Sequence, residues 1–315
     1  MKNKRIVSVL LALVLLLAVS GTAVAQTIYI PLISKGFQHQ FWQAVKEGAM
    51  QAAKDFNVTI TFEGPESETM VDKQIDMLAA AIAKKPSAIG FAALDSKAAI
   101  PLLKQAQAAG IPIIGFDSGV DSDIPLATAS TDNLAAAALA ADKMAALIGE
   151  KGDIAVVVHD QTSITGIQRR DGFVNRIKSK YPNIRIVSVQ YGAGDHLKST
   201  DITKAIIQSN PNLKGIFGAN EGSAIGVLNG VKEMGKIGKI VVIGYDSGAQ
   251  QIAAIKSGEM AGAITQNPVG IGYKTVEAAI KAIKGEKLPK NIDTGFYYYD
   301  KTNVNDPKIQ AVLYQ

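Results

Sequence analysis

The chain has 315 residues, 47% of them hydrophobic and 19% charged, which excludes a disordered chain and suits two lobes better than one core. It contains no cysteine, so neither a disulfide frame nor a thiolate metal site can form. The formal charge of +5 falls to +2 once Lys2, Lys4 and Arg5 are set aside, and no basic patch remains to argue for nucleic acid.

Residues 1–5 are basic, 6–19 form an apolar run, and Ala23-Val24-Ala25 has the small-residue spacing of a cleavage site. This is the pattern of a secretory leader over 1–25, with an apolar run too short for a full membrane span. The mature chain is expected to start near Gln26 in a periplasm. No cysteine near the cleavage site offers a point for lipid attachment.

From there strands and helices alternate. A strand is predicted over 27–33, a helix over 39–56 and a strand over 58–62. A helix follows over 71–84, with Met77, Leu78, Ala81 and Ile82 recurring on one face. A strand at 88–92 leads to a helix at 97–109, which Gly110 closes, and then to a strand at 111–116. The rhythm restarts near Asn133. Helices at 134–148, 166–180, 197–208, 223–234, 250–256 and 271–284 alternate with strands at 154–158, 184–190, 215–217, 240–243, 262–265 and 294–299.

This rhythm predicts the α/β class, with parallel sheets carrying helices on both faces. There are too many strands for one sheet, so two doubly wound lobes are expected. Ligands of such sheets bind beyond the carboxyl ends of the strands. Those positions carry polar groups almost throughout: Ser34 to Trp42, Ala92 to Ser96, Asp117-Ser-Gly119, His159-Asp-Gln161, Ala219-Asn-Glu221, Tyr245-Asp-Ser247 and Gln266-Asn-Pro268. A polyhydroxylated ligand needs such a lining, because each buried hydroxyl requires a partner.

Several enzymatic readings fail on the residues. His39, His159 and His196 are the three histidines and stand far apart, so a histidine metal site is not expected. Gly192-Ala-Gly194 lacks the third glycine of a dinucleotide fingerprint, and neither a phosphate-cradling loop nor a nucleophile elbow is present. Paired carboxylates raise glycoside hydrolysis, but no residue near them points to a raised carboxyl pKa. No catalytic residue, cofactor or metal is expected.

The markers Lys46-Glu-Gly48 with its preceding aromatic pair, Phe116-Asp117, Ser130-Thr-Asp-Asn133, Arg169-Arg-Asp-Gly-Phe173, Ala219-Asn220, Ile243-Gly-Tyr-Asp246, Thr265-Gln266 and Lys284-Gly-Glu286 together resemble the periplasmic ribose-binding proteins. These are substrate-binding proteins of sugar transporters, related in fold to the ligand-binding halves of lactose-repressor-type regulators. The resemblance covers the mature chain. It implies a first lobe of 26–132 plus 266–291, a second of 133–265 plus 292–315, and a three-segment hinge near Asn133, Gln266 and Asn291.

The resemblance also implies a pocket. Phe41 and Trp42 would stack on a sugar ring, and Asp117 would accept from its hydroxyls. Arg169, Asn220 and Asp246 would clamp the other edge, and Gln266 would reach the ligand from a crossover. Lys35 and His39 join this set from their place before the aromatic pair, and Asp95, Asp160 and Gln161 are further candidates. Phe41 and Trp42 can equally be core at the start of a helix, Asp117 and Asp246 can be helix caps, and His196 is expected at the surface.

The chain departs from the ribose-binding pattern at Ser118, where an arginine is usual, at Ala92, where an asparagine is usual, and at Lys35 and His39. These departures lie in the first-lobe half of the pocket and count against ribose itself. Lys35 is expected to replace the missing arginine, or to meet a ligand of different shape or one with an anionic group.

The expected function is therefore binding of a monosaccharide by hinge closure, as a monomer, with delivery to the membrane permease of an ABC-type importer. The alternative is a receptor for a small furanosyl signal of the autoinducer-2 type, or a polyol, feeding a sensor or chemotaxis system.

Overall fold

The computed structural model describes residues 27–314, so the expected leader over 1–25 lies outside the described residues. The first half of the chain runs β1 (Tyr29–Ile33), α1 (Gln40–Asp55), β2 (Thr59–Glu63), α2 (Val71–Ala83), β3 (Ile89–Phe91), α3 (Ile100–Ala108), β4 (Ile113–Phe116) and β5 (Ala127–Ser130). The second half runs α4 (Asn133–Ile148), β6 (Gly152–Val158), α5 (Ile164–Lys180), β7 (Ile184–Tyr191), α6 (His196–Ser209), β8 (Leu213–Gly218), α7 (Glu221–Glu233), β9 (Val241–Tyr245), α8 (Ala249–Ser257) and β10 (Gly262–Gln266). It ends with α9 (Pro268–Ile283), β11 (Asn291–Asp293), β12 (Phe296–Tyr299) and α10 (Pro307–Gln310).

Two six-stranded sheets form, in the orders β11-β5-β4-β3-β1-β2 and β12-β10-β9-β8-β6-β7. Each is a doubly wound order: right-handed crossovers put the helices on one face while the chain moves one way along the parallel sheet and on the other face where it reverses. Strand residues are buried to both sides: in β1, Ile30 and Leu32 pack with α1 and α9, while Ile33 packs with Leu78 and Leu103. The second sheet is buried on both faces in the same way, between Val156 and Phe217 on one side and Ala155 and Ile216 on the other.

The chain passes between the sheets after β5, after β10 and after β11. On the return between β10 and β11 it carries α9, whose Gly272 meets the Val45 carbonyl of α1, while Gly48 of α1 meets the Val269 carbonyl. The two helices thus touch backbone to backbone, and a Cβ at either glycine would collide with a carbonyl.

Three elements escaped the sequence pattern. β5 reads Ala-Thr-Ala-Ser, too small and too polar to signal a strand, yet it pairs parallel to β4 through Ile114 and Phe116. β11 is a short polar edge, Asn-Ile-Asp, and α10 is a single turn. The expectation of purely parallel sheets is corrected by β12, which runs antiparallel to β10, with Ala263 opposite Tyr299. It enters directly from β11 of the other sheet and has no crossover helix to turn it round.

Candidate functional site

The carboxyl ends of the two sheets face each other across a cleft. The first sheet and its helices contribute Lys35, His39, Phe41, Trp42, Glu68 and Asp117. The second contributes His159, Thr165, Arg169, Asn220, Asp246 and Gln266. All of the principal candidates from the sequence therefore meet in one place, and Glu68, His159 and Thr165 are additions to them.

The two aspartates occupy matching positions. The hexapeptides Ile114-Gly-Phe-Asp-Ser-Gly119 and Ile243-Gly-Tyr-Asp-Ser-Gly248 differ only at Phe116 and Tyr245. Each places an aspartate one residue past its strand with a positive φ, 55° at Asp117 and 79° at Asp246. Aspartate tolerates this left-handed region better than most side chains. Each N–H donates to the neighbouring strand, from Asp117 to the Ala129 carbonyl at 2.9 Å and from Asp246 to the Ile264 carbonyl at 2.6 Å. The chain thus leaves the sheet at the aspartate, which ends up buried against the cleft.

Arg169, on the first turns of α5, is fixed on three sides. Its Nε donates to Asn133 Oδ1 at 2.7 Å, Nη1 donates to the Ala219 carbonyl at 3.1 Å, and the guanidinium lies 3.9 Å from the centre of the Tyr245 ring. Asp117 stands 3.9 Å away in the first lobe and Asp246 3.8 Å away in the second. Burial pushes the Asp117 carboxyl up to about 6, against the pull of Arg169 and Lys35.

Each oxygen of Asp246 already accepts one hydrogen bond and keeps a lone pair for a ligand. Its Oδ1 accepts from Gln266 Nε2 at 2.6 Å and its Oδ2 from the Glu221 N–H at 2.9 Å, while Gln266 Oε1 accepts from the Thr131 hydroxyl at 2.8 Å. Asn220 caps α7 through its carbonyl oxygen, which accepts from Ser223 at 2.8 Å, so its amide nitrogen is the group it can offer a ligand. Asp117 differs from Asp246: its Oδ1 is buried and accepts no hydrogen bond from any described residue.

The remaining wall is built around Lys35. Trp42 Nε1 donates to Glu68 Oε1 at 2.7 Å, the other Glu68 oxygen lies 3.7 Å from the Lys35 ammonium, and Asp160 of the second lobe lies 3.6 Å from it. Burial alone would raise the Glu68 carboxyl, but Lys35 beside it holds it down at about 2. Lys35 keeps its charge because Glu68 and Asp160 outweigh the cost of burying it. It is therefore already matched by two carboxylates. Burial lowers the His159 ring, which favours its neutral form, and its Nε2 lies 3.3 Å from the Thr165 hydroxyl.

Phe41 and Trp42 are at once core and lining. Their rings meet edge to face at 5.0 Å, and Trp42 meets Phe116 at 6.3 Å. Of the further candidates, Asp160 sits behind Lys35, outside the lining, and holds the turn before α5 by accepting from the Thr162 and Ser163 N–H groups at 3.0 and 2.7 Å, while Ser163 itself caps the helix. Asp95 accepts from the Lys97 and Ala98 N–H groups at the start of a turn, and Gln161 is exposed, so both lie away from the cleft. His196 is exposed as expected, and its ring stacks on His39 at 6.0 Å.

His159 follows β6 and carried the strand-end signal already. Glu68 gave none: it lies in an acidic loop between β2 and α2 that reads as solvated. Thr165, one residue into the first turn of α5, looks like ordinary helix.

The site can therefore offer carboxylates to hydroxyl donors, a guanidinium and an ammonium to hydroxyl oxygens, and aromatic faces to C–H groups. Among the described residues, no group of three or more His, Asp or Glu is arranged to hold a metal.

Residues 30–287 match the family model described as periplasmic binding protein domain. The chain is 28% identical over 282 residues to the D-allose-binding periplasmic protein of Escherichia coli, covering 87% of this chain and 89% of that one. It is similar in structure to a carbohydrate transporter solute binding protein of Agrobacterium radiobacter in complex with D-arabinose. There the TM-score is 0.88 and the identity 35%, over 92% of this chain and 99% of that one. An ABC transporter solute binding protein of Agrobacterium vitis with bound D-fucose has the same TM-score of 0.88 and 35% identity, over 91% of this chain and 100% of that one.

Proposed function

The chain belongs to the periplasmic binding protein domain family, and on that premise we propose that it binds a neutral monosaccharide between its lobes and delivers it to the permease of an ABC-type importer. Residues 1–25 direct its export, with cleavage near Ala25, and it acts in the periplasm as a monomer without catalysis.

The observation that carries this reading is the buried, unpartnered Oδ1 of Asp117 in a cleft whose other carboxylates are already matched. A buried acceptor without a donor is costly, and a ligand hydroxyl supplies one. Asp117, Arg169, Asn220, Asp246 and Gln266 then bond the hydroxyls. Phe41 and Trp42 pack on the C–H faces of the ring, and Lys35 and His39 close the first-lobe side. The carboxylates around the cleft outnumber Lys35 and Arg169, which disfavours an acidic sugar.

The relatives named above bind D-allose, D-arabinose and D-fucose, and these form the first panel. A thermal-shift screen with these sugars, D-ribose and D-glucuronate should show stabilisation by at least one neutral sugar and none by D-glucuronate. Stabilisation by D-glucuronate alone, or by none of the panel, would reject the reading.

A further inference from the structure

Helix α1 begins in the first lobe without a cap of its own. Its N-cap, His39, makes no side-chain bond to the helix, and its first turn holds no acidic residue. The free N–H groups of Gln40 and Phe41 instead donate to the two oxygens of Glu221 in the second lobe, at 3.1 and 3.2 Å. Helix α8 has the converse need. Its N-cap is Gly248, which has no side chain, and the Ala249 N–H donates to Oε1 of Gln40 at 2.8 Å. Each lobe thus supplies the missing cap of a helix in the other. Space is tight at the junction: a Cβ at Gly248 would stand 3.0 Å from the Glu221 carboxyl and 3.1 Å from Gln40 Oε1. The Tyr314 hydroxyl adds a third donor to Glu221, at 3.2 Å.

None of Glu221, Gln40 and Gly248 lines the cleft. We propose that this reciprocal capping is a closure latch, which holds the lobes together independently of the sugar and sets Phe41 in place for it. Capping groups satisfy N–H groups that the helix itself leaves free, and a carboxylate there also meets the positive end of the helix dipole. When the lobes part, both helices lose their caps in one movement. Phe41 is the second residue of α1, so its backbone is anchored to the second lobe only while the lobes are shut. Glu221 is therefore a positioning residue for the ring face that Phe41 presents.

The inference rests on the reading that the lobes open and close, not on which sugar they take. It can be tested without any ligand. The chain holds no cysteine, so spin labels can be placed through Asp72→Cys and Lys198→Cys, exposed positions on opposite lobes. Pulsed EPR on the sugar-free protein should show a short-distance population. That population should fall about five- to tenfold in Glu221→Ala, as expected when a helix cap is lost, and also in Gln40→Ala. Gln40 is exposed, so its truncation keeps the test valid if Glu221→Ala does not fold. Titration with D-arabinose, D-fucose and D-allose should restore the short distance at higher sugar concentrations in the variants. A sugar-free distribution with only long distances, or a short population unchanged in both variants, would overturn the latch. Failure of every sugar to act, with the variant shifts intact, would overturn the sugar reading and leave the latch standing.

Discussion

The Nη2 atom of Arg169 stands 3.9 Å from Oδ1 of Asp117, and that oxygen accepts no hydrogen bond from any described residue. The two groups come from opposite lobes. Their separation is that of an ion pair without a hydrogen bond, so neither group satisfies the other. The cleft thus holds a charge pair that a third, hydroxylated party can complete.

Asp117→Asn tests this with pH. The carboxyl titrates at about 6 in the folded chain against an ordinary 3.8, chiefly because it is buried. Below the ordinary value both the folded and unfolded chains hold the proton. As pH rises through about 6, the folded state must carry a buried charge and stability is lost. The amide removes that loss and accepts the same left-handed backbone. Urea unfolding should show Asp117→Asn more stable than the parent by on the order of 2 kcal/mol at pH 7.5 and equal to it near pH 4. The same variant should bind sugar at least about tenfold more weakly by calorimetry, because a charge-assisted bond is lost.

Arg169→Lys should not rescue the site. A lysine cannot lie flat on Tyr245 while donating to Asn133 and the Ala219 carbonyl. It leaves Asp117 and Asp246 poorly compensated in a buried place. The expected result is a stability loss of about 3 kcal/mol or more and loss of detectable sugar binding, read by chemical unfolding and calorimetry.

Glu68 contributes to the acid limb of stability, beside Asp142 and Asp160, whose carboxyls are also held low. Burial works against its charged form, but Lys35 holds the carboxyl at about 2 in the folded chain against 4.5 ordinarily. Its contribution is present above the ordinary value and is lost as pH falls towards 2. Glu68→Gln should therefore be less stable by about 2–3 kcal/mol at pH 6, with the gap to the parent narrowing steadily between pH 4.5 and pH 3. A constant gap across that range would show that the loss comes from the Trp42 contact alone.

The contact between α1 and α9 leaves no room for an added methyl group. Gly48→Ala would drive a methyl group into the Val269 carbonyl, which is backbone and cannot rotate away. Unfolding in urea should show a loss of about 2–4 kcal/mol with an unchanged m-value. Sugar affinity should fall as well, since α1 carries Phe41 and Trp42.

Much of this was readable from the residues, for a physical reason. Parallel strands buried on both faces must be short apolar runs, and their ends must turn polar at the cleft. Lys35, Asp117, Arg169, Asn220, Asp246 and Gln266 were found from that rule and from the family resemblance. β5 stayed hidden because a strand made of Ala-Thr-Ala-Ser is strand only by virtue of its neighbours β4 and β11. Glu68 stayed hidden because its burial is created by Lys35 and Trp42, which approach it from another segment. Asp95 and Gln161 do not line the cleft: Asp95 holds a local turn, as a polar residue after a strand often does, and Gln161 is exposed.

The twin hexapeptides bear on how such a pocket can change over generations. At Asp117 and Asp246 the backbone and the chemistry make the same demand, because few side chains accept these φ values and fewer still offer an anionic acceptor. Replacement at either position by anything but asparagine therefore damages the turn and the ligand contact together, and asparagine keeps the turn but loses the anionic acceptor. New ligand preferences must arise instead at freer positions around them, such as His39 and Ser118, where a side chain can be exchanged without reshaping the chain. Two fixed carboxylates with adjustable surroundings give a binding site that can explore new ligands without first losing its fold.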